Sequence, residues 1–462
     1  MRRANASFAI HALMLSLVVA CGTDATRTPM ASEPLLKPGG VPAARGTAAL
    51  VAVRDGNAQL VANAPALVPP GAPLAPFVEA RLYAIGSVAM HDALNAIVPR
   101  YARYADTGPL VPDADPATAA LTAARDAMRG AVPAAEAAVD AWYEGAMAAR
   151  ADADGRAAGA SLGARVAAAI LSRRAADGTA GGGVAPYTPG ASPGDYQFTF
   201  PFNTPGFDFF GTGGFADASV WGVTVTPFVV QTTRQFRAPP PYGAATNADA
   251  VRTAAYTSDF DEVKALGCDG CASRTPEQTE IARFWVENSP TGWNRIARIV
   301  AEQRQLDAWE TARLLALVQM AEFDAYASNL ESRYHYGFWR PVTAIAAAAS
   351  DGNAATTPAD GWQVLVFPTP PVPDYPSAHA AAGGAAAAVI EAVVPGRGPR
   401  ITMSSGSLPG VSRTFDDVAS AAYENADSRI FVGYHFRHAT RVGLTQGRAI
   451  GTFVASRALT KR

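Results

Sequence analysis

The stretch D-Y-P-S-A-H-A-A-A-G-G-A-A-A-A-V-I, Asp374 to Ile390, opens on a proline and a serine and runs on as an alanine-rich segment. Ser377 suits a helix N-cap, and the backbone amides behind it begin the helix without partners. Those amides, aided by the helix dipole, favour a bound oxyanion. His379 falls in the first turn, facing that position, and Ala378 keeps the approach unobstructed. The chain spends one of only six histidines here. Taken alone, the stretch reads equally as a capping serine beside an unrelated histidine.

Helical spacing of apolar residues recurs outward from this point. Folded sequence begins near Ala72 with P-F-V-E-A-R-L-Y-A-I-G-S-V-A-M-H-D-A-L-N-A-I, and alanine-rich helices are expected over 116–131, 133–152 and 155–177. Thr275-Pro276-Glu277-Gln278 has the form of a capping box with proline at the first helical position. Further helices are expected over 292–303, from Asp307 to about Phe338, from Ser377, and from Asp416 to Val432. Residues 179–245 instead alternate breakers with aromatics, as in F-P-F-N-T-P-G-F-D-F-F-G. A coil of that length is functional or a covering flap, and its aromatics imply packing onto the body. Short extended pieces are expected only within Ser219 to Gln231, and no sheet or internal repeat is evident. The fold class is all-α, a helical bundle with a long irregular Gly/Pro- and aromatic-rich insertion.

Hydrophobic residues make up 49% and charged residues 17%, which supports a large core and excludes general disorder. A net charge of -2 argues against a nucleic-acid footprint, so any anion site must be local. Met1-Arg2-Arg3 and the short apolar run after it read as an export signal. Val18-Val19-Ala20-Cys21 is similar to the bacterial lipobox, an ordinary signal peptide being the alternative. The expected organisation is a lipoprotein signal over 1–21, a flexible linker over 22–71 and one helical domain over 72–462. The protein is then periplasmic or anchored at the outer membrane through Cys21 alone. In an oxidising compartment Cys268 and Cys271, in G-C-D-G-C, read as a disulfide; a thioredoxin-like motif would need a strand–helix–strand context.

Two further stretches join the first. In S-R-Y-H-Y-G-F-W-R-P, Arg333 and Arg340 are seven apart, about two turns, so both leave one helix face. Pro341 places Arg340 at the helix end. The pair reads as an anion site or as a solvated face. In N-A-D-S-R-I-F-V-G-Y-H-F-R-H-A-T, Arg429 and His435 are six apart, on different faces of one straight helix. Gly433 between them could break the helix and let both converge; a helix-ending arginine and an unrelated histidine pair is the alternative.

In this order R-x6-R-P, P-S-x-H and S-R-x5-H, within 325–445, resemble the signature of the acid phosphatase/vanadium-dependent haloperoxidase superfamily, which includes the type 2 phosphatidic-acid phosphatases. The preceding helices look like the exported bacterial haloperoxidase branch. The resemblance implies vanadate as cofactor, halide oxidation by hydrogen peroxide to hypohalous acid, a halide or small organic substrate, and a homodimer as in many related enzymes. Arg333, Arg340 and Arg429 would hold the equatorial oxygens, with Ser377 and the Ala378 N–H. His379 would be the acid–base histidine. His435 would bind vanadium axially, or attack phosphorus in the alternative acid phosphatase that works through a phosphohistidine. An anchored oxyanion-binding lipoprotein without turnover is the reading from another class.

Three positions depart from the pattern. Arg333 stands where lysine is usual and Ala378 where glycine is usual. Ala439 stands where phosphatases often carry an aspartate, which leaves His435 without that ring partner. His335 reads as a pocket-entrance or packed histidine, and His91-Asp92 as a core pair. His435 and His438 form H-x2-H, but a zinc site would need a third ligand.

Overall fold

Small side chains let helices approach closely, and the alanine-rich runs do so throughout. The computed structural model describes residues 42–462 apart from 71, 73, 180–184, 205–215, 218, 395 and 397–399. The expected signal over 1–21, with Cys21, lies outside the described residues. Gly40 to Arg462 cluster as a single unit.

The N-terminal layer is built from α1 (Ala43–Asn63), α2 (Pro76–Asn95), α3 (Pro116–Ala131), α4 (Glu136–Ala148) and α5 (Arg156–Arg174). α1 corrects the expected linker over 22–71. It packs on α3 and on the long central helix, with Ala49, Val53 and Leu60 buried. Asn57 on the same face exchanges hydrogen bonds of 3.0 Å with Asn294. Alanine and glycine spaced along one face make a good close-packing surface, yet their composition resembles a tether.

Short α6 (Ser219–Thr224) and α7 (Asn247–Ala250) follow, then α8 (Ala254–Leu266), α9 (Pro276–Phe284), α10 (Ser289–Gln303), α11 (Ala308–Tyr336) and α12 (Pro341–Ala347). The last three are α13 (Ala378–Val393), α14 (Val418–Phe431) and α15 (Arg437–Arg457). The Thr275 capping box forms, and Asp307 caps α11 through a second one with Glu310. α11 runs through the middle, buried along most of its length and packed on α2, α13 and α15. Helix α15, absent from the expected set, is a principal partner of α13. Gly443, Gly447 and Gly451 line their contact: a Cβ at any of them would run into the carbonyls of Ser377, Ala381 or Ala385.

Two small antiparallel ribbons correct the expectation of no sheet. β1 (Ala185–Pro186) pairs with β2 (Ala216–Asp217), and β3 (Ile401–Ser404) with β4 (Ser412–Phe415). Ser219 to Thr224 is helical rather than extended. The described parts of the insertion are pinned to the body. Asp324 of α11 accepts from the Phe228, Val229 and Val230 amides at 2.6, 2.8 and 2.9 Å. The Tyr336 and Tyr375 hydroxyls donate to Ala238 and Pro239 at 2.6 and 2.8 Å. Cys268 and Cys271 are joined in a disulfide. No helix among the described residues is long and apolar enough to cross a membrane.

Candidate oxyanion site

α11 stops at Tyr336 because Gly337 adopts a left-handed φ of 57° and donates to Arg333 O at 2.7 Å. Arg340 is therefore not on the helix of Arg333. It is the N-cap of α12, with Pro341 at the first helical position. The seven-residue spacing spans a break, yet both guanidiniums arrive at His435. Backbone carbonyls just ahead of α13 aim them. Arg333 Nε donates to Pro376 O at 2.7 Å, and Arg340 Nε to Val372 O at 2.7 Å. Arg340 also donates through Nη1 to Tyr434 O at 2.8 Å and through Nη2 to Pro370 O at 3.3 Å.

Gly433 provides the second convergence. α14 ends at Phe431, and Gly433 turns the chain with φ 88°, against Gly267. Arg429, in the last turn of α14, donates from Nη2 to Trp285 O at 2.7 Å and from Nε to Ser428 Oγ at 3.0 Å. His435 comes back beside it: Nε2 is 3.3 Å from Arg333 Nη2 and 3.0 Å from Arg340 Nη1. All three arginines and His435 are buried.

Ser377 occupies the N-cap of α13, but its side chain makes no capping bond. Its Oγ is wholly buried and has no hydrogen-bond partner among the described residues. Ser377 N–H is used, donating to Ala439 O at 2.9 Å. Ala378 is the first residue of α13 and keeps a negative φ, so the usual glycine is not needed there. His379 Nε2 lies 3.1 Å from Glu287 O; a carbonyl only accepts, so Nε2 carries the proton.

Burial and mutual repulsion set the charges. Burial lowers Arg333, with Arg340 adding repulsion, and burial lowers Arg429 to about 10. Burial and then Arg429 push His379 down to about 3. Burial, Arg340 and Arg333 hold His435 well below its usual value. Both rings are thus neutral at neutral pH in a strongly positive surrounding. Arg340 reaches Asp374 at 4.0 Å, and among the described residues neither Arg333 nor Arg429 makes an ion pair. Even with Asp374 ionised, two positive charges stay uncompensated. A buried, unpartnered hydroxyl beside that excess fits a doubly charged oxyanion. The residues present therefore suit vanadate or phosphate.

Asp374 is the site residue that the motifs did not identify. It is wholly buried, and Oδ1 lies 2.8 Å from His435 Nδ1. This corrects the expectation that Ala439 leaves His435 without a carboxylate neighbour: the carboxylate comes from another segment. An acidic residue between two prolines in V-P-D-Y-P was the available signal. The Trp285 and Glu287 contacts are backbone carbonyls, which leave no mark in side-chain identity.

The other histidines among the described residues lie elsewhere. His335 is exposed, with Nε2 3.4 Å from Arg237 Nη1. His438 stacks between Tyr242 and Tyr375 and accepts from Tyr242 N–H at 3.0 Å, so that nitrogen is committed to the backbone rather than to zinc. His91 and Asp92 form a buried pair at 2.9 Å.

Residues 313–461 match the VCPO second helical-bundle domain. The vanadium chloroperoxidase of Curvularia inaequalis is 27% identical over 287 residues, which is 48% of this chain and 45% of that protein. The chain thus spans less than half of that relative's length. The fold matches the first bacterial vanadium-dependent iodoperoxidase with TM-score 0.71 at 22% identity, covering 90% of this chain and 98% of the other. A holo-type bacterial vanadium-dependent chloroperoxidase matches with TM-score 0.63 at 16% identity, covering 85% and 95%. The three arginine and histidine motifs converge in one buried cluster, residues 313–461 match the VCPO second helical-bundle domain, and the fold is similar to that of the bacterial vanadium-dependent haloperoxidases.

Proposed function

We propose that the protein is a vanadate-dependent haloperoxidase, oxidising halide with hydrogen peroxide to hypohalous acid. The observation that carries this reading is the wholly buried Ser377 Oγ, without a partner among the described residues, beside three arginines whose charge exceeds that of Asp374. When bound, vanadate supplies Lewis acidity toward peroxide without a change of metal redox state.

The chain's own groups divide the remaining work. Arg333, Arg340 and Arg429 would hold the oxyanion through planar donor forks and, although burial lowers all three, stay charged at neutral pH. Ser377 Oγ and the Ala378 N–H complete the cradle at the helix N-terminus. His435 would hold the bound group through Nε2, which faces Arg333 and Arg340. His379, held neutral by burial and Arg429, is a base for the proton that incoming peroxide loses. The net reaction consumes one proton per halide oxidised, and the neutral ring is ready to pass it on.

A phosphomonoesterase is the second reading, favoured by Asp374 beside His435, the arrangement a histidine nucleophile uses. Export with a lipid on Cys21 remains our proposal from the leader alone; mass spectrometry of the mature N-terminus tests it. For the activity, apo-protein is incubated with vanadate and assayed for bromide and iodide oxidation with peroxide. Phosphate-ester hydrolysis is assayed without vanadate. Halide oxidation that appears only with vanadate supports the first reading, and hydrolysis without halide oxidation replaces it with the second.

A further inference from the structure

The turn Val372-Pro373-Asp374-Tyr375-Pro376 does two things at once. Its Val372 and Pro376 carbonyls fix the guanidiniums of Arg340 and Arg333 at 2.7 Å each. Its Asp374 carboxylate, anchored through a backbone bond from Asp374 N to Phe338 O of 2.8 Å, is carried to His435 by the same segment. The arginines and the carboxylate therefore share one rigid mount.

His435 meets opposite chemistry on its two nitrogens. Nε2 faces Arg333 Nη2 at 3.3 Å and Arg340 Nη1 at 3.0 Å. A guanidinium has donors only, so Nε2 must be the acceptor and holds the lone pair. The single proton of the neutral ring then sits on Nδ1, the atom 2.8 Å from Asp374 Oδ1. Arg340 Nη1 also reaches Nδ1 at 3.4 Å, and the contact with Asp374 is one of charge and proximity rather than a straight hydrogen bond. An oxyanion that takes over the Arg340 hydrogens frees the ring to settle on the carboxylate.

We propose that Asp374 is the positioning residue of His435: it keeps the ring proton on Nδ1 and turns the Nε2 lone pair toward the place where the three arginines converge. It takes the part that Ala439 cannot play, from a different segment of the chain. The proposal rests on the reading of the site as a vanadate site.

Two competing roles make different predictions for Asp374→Ala. If Asp374 only offsets charge, its removal adds net positive charge and every oxyanion binds tighter. If it only supports the turn, every oxyanion binds weaker. A positioning role separates the anions, because vanadate needs the Nε2 lone pair whereas sulfate is held by charge and hydrogen bonds alone.

The experiment titrates wild type, Asp374→Ala and Asp374→Asn apo-protein with vanadate and with sulfate. Nitrogen NMR of His435, assigned by loss of its signals in His435→Ala, reads the tautomer. The expected result is a wild-type ring protonated on Nδ1 and vanadate affinity lowered about 10- to 100-fold in Asp374→Ala, the range for a lost partner behind a metal ligand. Sulfate affinity is expected to be unchanged or higher. Asp374→Asn keeps an acceptor oxygen and is expected to recover most of the vanadate affinity. A wild-type ring protonated on Nε2, or parallel changes for vanadate and sulfate, overturns the proposal. If Asp374→Ala fails to fold, the wild-type tautomer and the asparagine variant decide. Wild type that binds no vanadate defeats the functional reading instead, and the tautomer still tests Asp374.

Discussion

Gly433 packs directly against Gly267: a Cβ on Gly433 would collide with the Gly267 carbonyl and lie 3.0 Å from the Trp362 ring. With φ at 88°, this is the turn that ends α14 and returns His435 to Arg429. Gly433→Ala combines left-handed strain with a backbone clash, so a loss of about 2 kcal/mol or more is expected. Denaturant unfolding measures it, and vanadate affinity should fall with it because His435 shifts.

Ser377→Ala should behave unlike the loss of an ordinary cap. Truncating a working N-cap costs about 1 kcal/mol, but the Ser377 hydroxyl makes no capping bond and is buried without a partner among the described residues. Unfolding free energy is therefore expected to change by less than about 0.5 kcal/mol, while vanadate affinity drops about 5- to 10-fold for one lost hydrogen bond. Equal losses in both would mean that the hydroxyl serves the helix rather than the anion.

The depressed His379 sets a pH dependence with a definite sign. Its pKa is about 3 in the folded protein, through burial and then Arg429, against about 6.5 when unfolded. Between those values the unfolded chain binds the extra proton, so the ring's contribution is full above pH ~6.5 and is lost as pH falls toward ~3. Thermal unfolding across that window should be steeper in wild type than in His379→Ala. Equal slopes would show that the ring charges freely in the folded state.

Charge excess makes the protein responsive to anions. Vanadate or phosphate at about 100 times its dissociation constant should add about 2.7 kcal/mol of stability by mass action. In Arg340→Ala that gain should largely vanish, since the guanidinium also organises Pro370, Val372 and Tyr434. Melting temperature against anion concentration reads both.

The helix–helix seam near the site is equally testable. A Cβ on Gly447 would run into Ala381 O and push α13 away from α15. Gly447→Ala is expected to destabilise by about 3 kcal/mol through overpacking. Differential scanning calorimetry checks it.

Much of this was legible in the sequence, for identifiable reasons. The capping box announced α9, because proline and the box act locally, whereas α3 and α11 were legible from helical spacing and their caps at Asp115 and Asp307 emerged only in the structure. The oxyanion residues were legible because three short motifs kept their spacing. α1 was hidden because alanine and glycine that pack well also look like a linker. Asp374 was hidden because its partner lies 61 positions away, and the carbonyls of Trp285 and Pro376 because any residue supplies one. The shared helix inferred for Arg333 and Arg340 failed at Gly337, whose left-handed φ allows a break that the spacing conceals.

The central claim is that this buried cluster, once it holds vanadate, oxidises halide. The most direct measurement is iodide and bromide oxidation by peroxide as apo-protein is titrated with vanadate, in wild type and in His435→Ala. The account predicts activity that rises saturably with vanadate in wild type and is absent in the variant. Wild type that binds vanadate without oxidising either halide, or a variant as active as wild type, would contradict it.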